Sequence, residues 1–92
     1  MQTQTDDIIN ILRKKLIFRS WHRGTREMDL MMGKFADAML AGYSAEQLAS
    51  YEELMNENDP DLYNWITLHE PVAEHCQHNQ ALNDIITFYN PK

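Results

Sequence analysis

The chain has 92 residues, 43% of them hydrophobic, and a net charge of −6; it can build one core, is too apolar for a disordered tail and too small to enclose a deep active site. One cysteine, Cys76, excludes a disulfide framework, no apolar run reaches the ~20 residues that cross a bilayer, and the acidity disfavours general nucleic-acid binding. Few glycines and prolines, a single valine, and abundant Leu, Ile, Met, Ala, Glu and Gln favour helix over sheet.

Charge is unevenly spread. Residues 1–34 hold seven basic and four acidic residues, whereas residues 35–92 hold one basic and ten acidic. Arg13, Lys14, Lys15, Arg19, Arg23 and Arg26 form the basic cluster, which reads either as a solvated helix flank or as a docking surface for an acidic partner.

The first predicted helix runs from about Asp6 to Phe18, with Ile8, Ile9, Leu12, Leu16 and Ile17 on its apolar face. Aspartates at its start and basic residues nearer its end complement the helix dipole. The second runs from about Thr25 to Leu40, with a stripe of Met28, Met31, Met32, Phe35, Ala36 and Met39, and with Gly42 as its stop. Ser44 and Gln47 form a capping-box pattern for the third, which should end near Asn58. Asp59 is expected to cap the fourth, Pro60 suits its first position, and Leu62, Trp65, Ile66 and His69 continue it until Pro71. After a polar loop, "VAEHCQHN", the fifth covers about Gln80 to Tyr89. The expected architecture is all-α: a compact five-helix antiparallel bundle, one domain over residues 1–92 with an ordered core at about 6–89.

Few residues suggest chemistry. His69, His75, Cys76 and His78 are metal-ligand types, but their spacing matches no established motif, so solvent-exposed loop histidines and no metal are expected. Cys76 lacks an evident pocket for nucleophilic catalysis, and no phosphate loop or paired-carboxylate constellation stands out. The segment "RSWHRGTREMDLMMGKFAD" is more informative. On a helical wheel Arg23, Glu27, Leu30 and Lys34 form a strip opposite the methionine stripe, and Arg23 and Glu27 are spaced for an ion pair if the helix reaches back that far. Gly24 lets another backbone approach, and Gly33, costly in mid-helix by ~1 kcal/mol, points to a close neighbour. A protein-interaction surface is the reading these residues favour.

Arg23-Gly24-x-x-Glu27, followed by Met28-Asp29 and Gly33-Lys34-Phe35, resembles the Arg-Gly-x-x-Glu signature of the succinate dehydrogenase assembly factors that promote flavinylation. "DPDLYNW" at residues 59–65 resembles that family's second block, and the likeness extends over about residues 8–89. The resemblance implies a five-helix bundle that is not itself an enzyme and stably holds no cofactor. It implies a partner, the flavoprotein subunit of succinate dehydrogenase and in bacteria also that of fumarate reductase, on which it assists covalent attachment of FAD to a histidine. Partner binding then falls on Arg23, Gly24 and Glu27, with Asp29, Leu30 and Lys34 in the same patch, and Asp61 and Trp65 as structural support. Thr25 and Lys34 depart from the family's usual residues. The N-terminus has neither signal-peptide nor transit-peptide composition, which favours a cytoplasmic, bacterial form. The alternative is an adaptor bundle that binds some other protein surface.

Overall fold

A computed structural model of the chain describes residues 3–91, with side chains from residue 6 onward; Met1, Gln2 and Lys92 of the expected domain lie outside the described residues. Among the described residues five α-helices follow one another: α1 (Thr3–Ser20), α2 (Arg26–Met39), α3 (Ala45–Leu54), α4 (Asp59–Ile66) and α5 (Gln80–Tyr89). Short 3-10 turns occupy Leu40–Gly42 and Glu74–Cys76, and no strand occurs among the described residues. The fold is all-α.

Local chemistry explains most boundaries. Thr25 accepts the Met28 N–H and starts α2. Ser44 and Gln47 close the expected capping box on α3. Asn79 accepts the Leu82 N–H at the head of α5 while its amide donates to Ser50 O, which ties α5 to α3. Two expectations need correction at α4. Its cap is Asn58, which accepts the Asp61 N–H at 2.9 Å, rather than Asp59. Its end is Ile66 and not the turn before Pro71, so His69 lies outside the helix. Leu68 adopts a left-handed φ of 63°, and the His69 N–H returns to Asn64 O while Leu68 N–H returns to Trp65 O. That paired closure ends the helix three residues early. The third helix likewise stops at Leu54, four residues short of Asn58, because Asn58 serves the next helix.

The core runs through the middle of the bundle. Leu16, Met28, Met32, Phe35, Leu40, Leu48, Tyr51, Leu54, Leu62, Ile66, Leu82 and Ile85 are fully buried. Phe35 of α2 is its aromatic hub, stacked on Tyr51 with centroids 6.1 Å apart and edge-on to Tyr43 and Phe88. α1 packs on α2 and α3, while α5 packs on α3 and α4. In α1, Ile8 is exposed rather than part of the apolar face, because Ile9, Leu12, Leu16 and Ile17 turn inward instead. Cys76, read as part of a polar loop, is buried at 4% exposure.

Polar ties span the bundle. Arg13, assigned to a solvated flank or docking surface, reaches across to Leu40 O at 2.8 Å and Tyr43 O at 2.9 Å. The Tyr43 hydroxyl donates to Asp84 at 2.6 Å. Tyr51 meets Ser20, whose own hydroxyl donates to Leu16 O. No buried side-chain nitrogen or oxygen among the described residues lacks a partner, as a well-satisfied interior requires.

Candidate functional site

The corner around Gly24 is built by three chain segments: the turn between α1 and α2, the carbonyls just after α3, and the first turn of α4. α2 begins at Arg26, so Arg23 precedes the helix and does not continue its outer strip. The expected ion pair with Glu27 is therefore replaced by another. Arg23 Nε donates to Asp59 Oδ1 at 2.8 Å, Nη2 to Glu57 O at 2.8 Å and Nη1 to Met55 O at 3.1 Å. The side chains of Arg23 and Asp59 are only 11% and 14% exposed. A planar guanidinium suits this role, since it places several donors at once on carbonyls and a carboxylate. It also supplies a cation just beyond the C-terminal end of α3, while Asp59 puts a carboxylate at the positive end of α4.

Gly24 is fixed by the same carboxylate. Its N–H donates to Asp59 Oδ2 at 2.8 Å, and a Cβ on Gly24 would lie 2.9 Å from that oxygen. A side chain at this position would push the Asp59 carboxylate out of place, while the outer side of Gly24 stays exposed. Asp29 is half-buried and accepts the Arg23 N–H, so it orients the turn from within.

The remaining patch residues face outward. Glu27 and Lys34 are exposed, and Leu30 is 39% exposed, an apolar side chain between charges. Two clefts flank Gly24. One, of about 380 Å³, is lined by Arg19, His22, Arg23, Gly24, Met55, Asn58 and Asp59. The other, of about 260 Å³, is lined by Thr25, Glu27, Met28, Asp59, Pro60, Tyr63 and Asn64. Asp59 forms part of both walls.

Supporting residues sit behind. Trp65 is buried, and the Asp61 carboxylate accepts from the Asn58 amide at 3.1 Å. Trp21 carries a role that pattern reading missed. A Cβ on Gly33 would overlap its ring, so the missing side chain in α2 is the seat of the Trp21 indole, whose N–H donates to Asp37. The mid-helix glycine signalled a close neighbour; nothing in the spacing identified it.

The histidine-rich loop divides. His69 bonds Thr67 Oγ1 and stacks on Tyr63, and His78 stands exposed. His75 turns instead to Glu57, Nε2 to Oε1 at 3.1 Å, beside Cys76. Burial, reinforced by Glu57, Glu53 and Asp61, pushes the Cys76 thiol up to about 11. It is thus no activated nucleophile.

Residues 14–89 match a family described as flavinator of succinate dehydrogenase. Among curated relatives, a Debaryomyces hansenii protein is 39% identical over 70 residues, covering 76% of this chain and 49% of its own length. One from Dictyostelium discoideum is 41% identical over 66 residues, covering 72% of this chain and 47% of its own. One from Schizosaccharomyces japonicus is 34% identical over 82 residues, covering 89% of this chain and 57% of its own. All three are named succinate dehydrogenase assembly factor 2, mitochondrial. The chain spans about half the length of these relatives. Their names overturn the expected cytoplasmic location, since each places its protein in mitochondria.

Proposed function

We propose, from the premise that this chain belongs to the family of succinate dehydrogenase flavinators, that it binds the flavoprotein subunit of succinate dehydrogenase and promotes covalent attachment of FAD to a histidine of that subunit. The role is that of a helper, as the assembly-factor names of the relatives state for them. The FAD and the nucleophilic histidine both belong to the client.

A helper of this kind acts by differential binding. It favours the client conformation in which histidine and flavin stand in near-attack geometry, and gains no rate from holding other conformations equally well. The observation that carries the reading is an exposed Gly24 backbone, locked by Asp59 between two clefts and flanked by exposed Glu27. A backbone position without a side chain, held by a hydrogen bond, lets a partner approach closely. Glu27, Leu30 and Lys34 then meet the client directly, Glu27 and Lys34 through charge-assisted hydrogen bonds. Arg23 and Asp29 act as positioning residues, because their polar atoms are spent inside the corner.

The test is covalent flavin on the client subunit, read by in-gel fluorescence. Glu27→Ala should lower it several-fold while leaving stability within ~0.5 kcal/mol, as an exposed substitution does. Glu27→Ala combined with Leu30→Ala and Lys34→Ala should abolish capture of the flavoprotein. Normal flavinylation by the folded triple variant would overturn the proposal. Gly24→Arg is a less selective probe, since it also displaces Asp59.

A further inference from the structure

Away from α2, the turn between α3 and α4 meets the 3-10 turn before α5. There three side chains of different donor chemistry converge. We infer that Glu57, His75 and Cys76 form a site for one zinc ion, with a fourth position open to water.

One ligand atom from each residue lies within 4.8 Å of the other two, and Glu57 Oε1 stands 3.1 Å from His75 Nε2. Around a tetrahedral zinc with bonds of about 2.0–2.3 Å, neighbouring ligand atoms are about 3.3–3.8 Å apart. The Glu57–His75 pair is already near that separation. All three separations lie within 4.8 Å, so side-chain rotation of about 1 Å at most brings the set to that spacing.

The backbone holds Cys76 and Glu57 in place. The Cys76 N–H donates to Ala73 O at 2.9 Å, and Asn79 N–H returns to Cys76 O at 3.0 Å, which fixes the 3-10 turn. Glu57 N–H donates to Leu54 O, and Glu57 O is clasped by Arg23. The sulfur is buried while the imidazole reaches solvent, so an ion has an entry path and a sheltered seat. The edge-on Trp65 ring, 6.2 Å from His75, supplies an apolar wall.

Donor chemistry selects the metal. One thiolate, one imidazole and one carboxylate make a borderline-soft set suited to zinc, whereas calcium and magnesium take oxygen alone. Glu53 and Asp61 add negative potential at the sulfur, which favours a cation there. On binding, the sulfur–metal bond forms as the thiol proton passes to solvent. Adjacent His75 and Cys76 match no spacing motif because the third ligand lies 18 residues earlier in the chain.

The intact chain, stripped of metal by chelator, is titrated with cobalt(II) as a spectroscopic probe and then with zinc. One equivalent of cobalt should produce a thiolate-to-metal charge-transfer band that one equivalent of zinc removes. Cys76→Ser should erase that band. Because Cys76 is a core residue, His75→Ala and Glu57→Gln carry the test independently: each should weaken zinc binding by about ten-fold or more with helicity unchanged. His69→Ala and His78→Ala should leave affinity intact. Absence of the charge-transfer band from the folded parent, or equal affinity in His75→Ala and the parent, would overturn the assignment.

Discussion

Arg23 and Asp59 lie 36 positions apart in sequence and meet at 2.8 Å, and the second oxygen of the same carboxylate holds the N–H of Gly24. One acidic side chain therefore fixes both an arginine and the glycine beside it, and with them the docking of the α1–α2 turn against α4. Removing it by Asp59→Ala strands a largely buried guanidinium and orphans a backbone donor. A loss of about 2–4 kcal/mol in urea unfolding is expected. Arg23→Lys keeps the charge but loses the donors that serve Met55 and Glu57, for about 1–2 kcal/mol. If both variants unfold like the parent, Arg23 is no internal strut.

Gly33 tests the seat of Trp21. Alanine in mid-helix ordinarily stabilises by ~1 kcal/mol relative to glycine. Here the added methyl would overlap the indole, so Gly33→Ala should instead cost about 1–3 kcal/mol and alter Trp21 fluorescence. In a Trp21→Ala background the sign should reverse, to a gain of ~1 kcal/mol. A double-mutant cycle read by denaturation checks both signs.

Leu68 occupies the left-handed position that closes α4, and it is 61% exposed, so little packing rewards it. The left-handed conformation costs an ordinary residue ~1–2 kcal/mol, and glycine's freedom in the unfolded chain returns ~0.4–1 kcal/mol of that. Leu68→Gly should then stabilise by about 0.5–1 kcal/mol, seen as a raised melting temperature. A lower melting temperature would mean that Leu68 makes a contact its exposure conceals.

Alkaline stability follows from Tyr51. Burial pushes its phenol from the usual 10.0 up to about 12. Between those values the unfolded chain has released the proton and the folded chain retains it. The contribution is therefore complete below pH 10 and falls away as pH rises through about 12. Tyr51→Phe should flatten this decline, at a neutral-pH cost of about 1 kcal/mol for the lost bond to Ser20. Urea midpoints from pH 8 to high pH, compared between parent and variant, measure it; parallel curves would refute the assignment.

Helix identity was legible from residues alone because it rests on information within one turn. The spacing of Met28, Met31, Met32, Phe35, Ala36 and Met39 predicts a buried face; four of the six are buried, whereas Met31 is half-buried and Met39, at the end of α2, is exposed. Ser44 and Gln47 close the box their three-residue separation suggests. Family membership was legible for a related reason: Arg23-Gly24-x-x-Glu27 and residues 59–65 are contiguous blocks. Their physical connection was not legible. Helical spacing set Arg23 beside Glu27, whereas the structure sets it against Asp59, since the chain leaves helical geometry before Thr25 and its direction depends on where α3 and α4 meet. The partner of Gly33 and the approach of Glu57 to Cys76 were hidden for the same reason. Composition and periodicity determined the elements; only the packing of helix ends decided which side chains share a corner, because a contact across many residues depends on a three-dimensional path that no local spacing records.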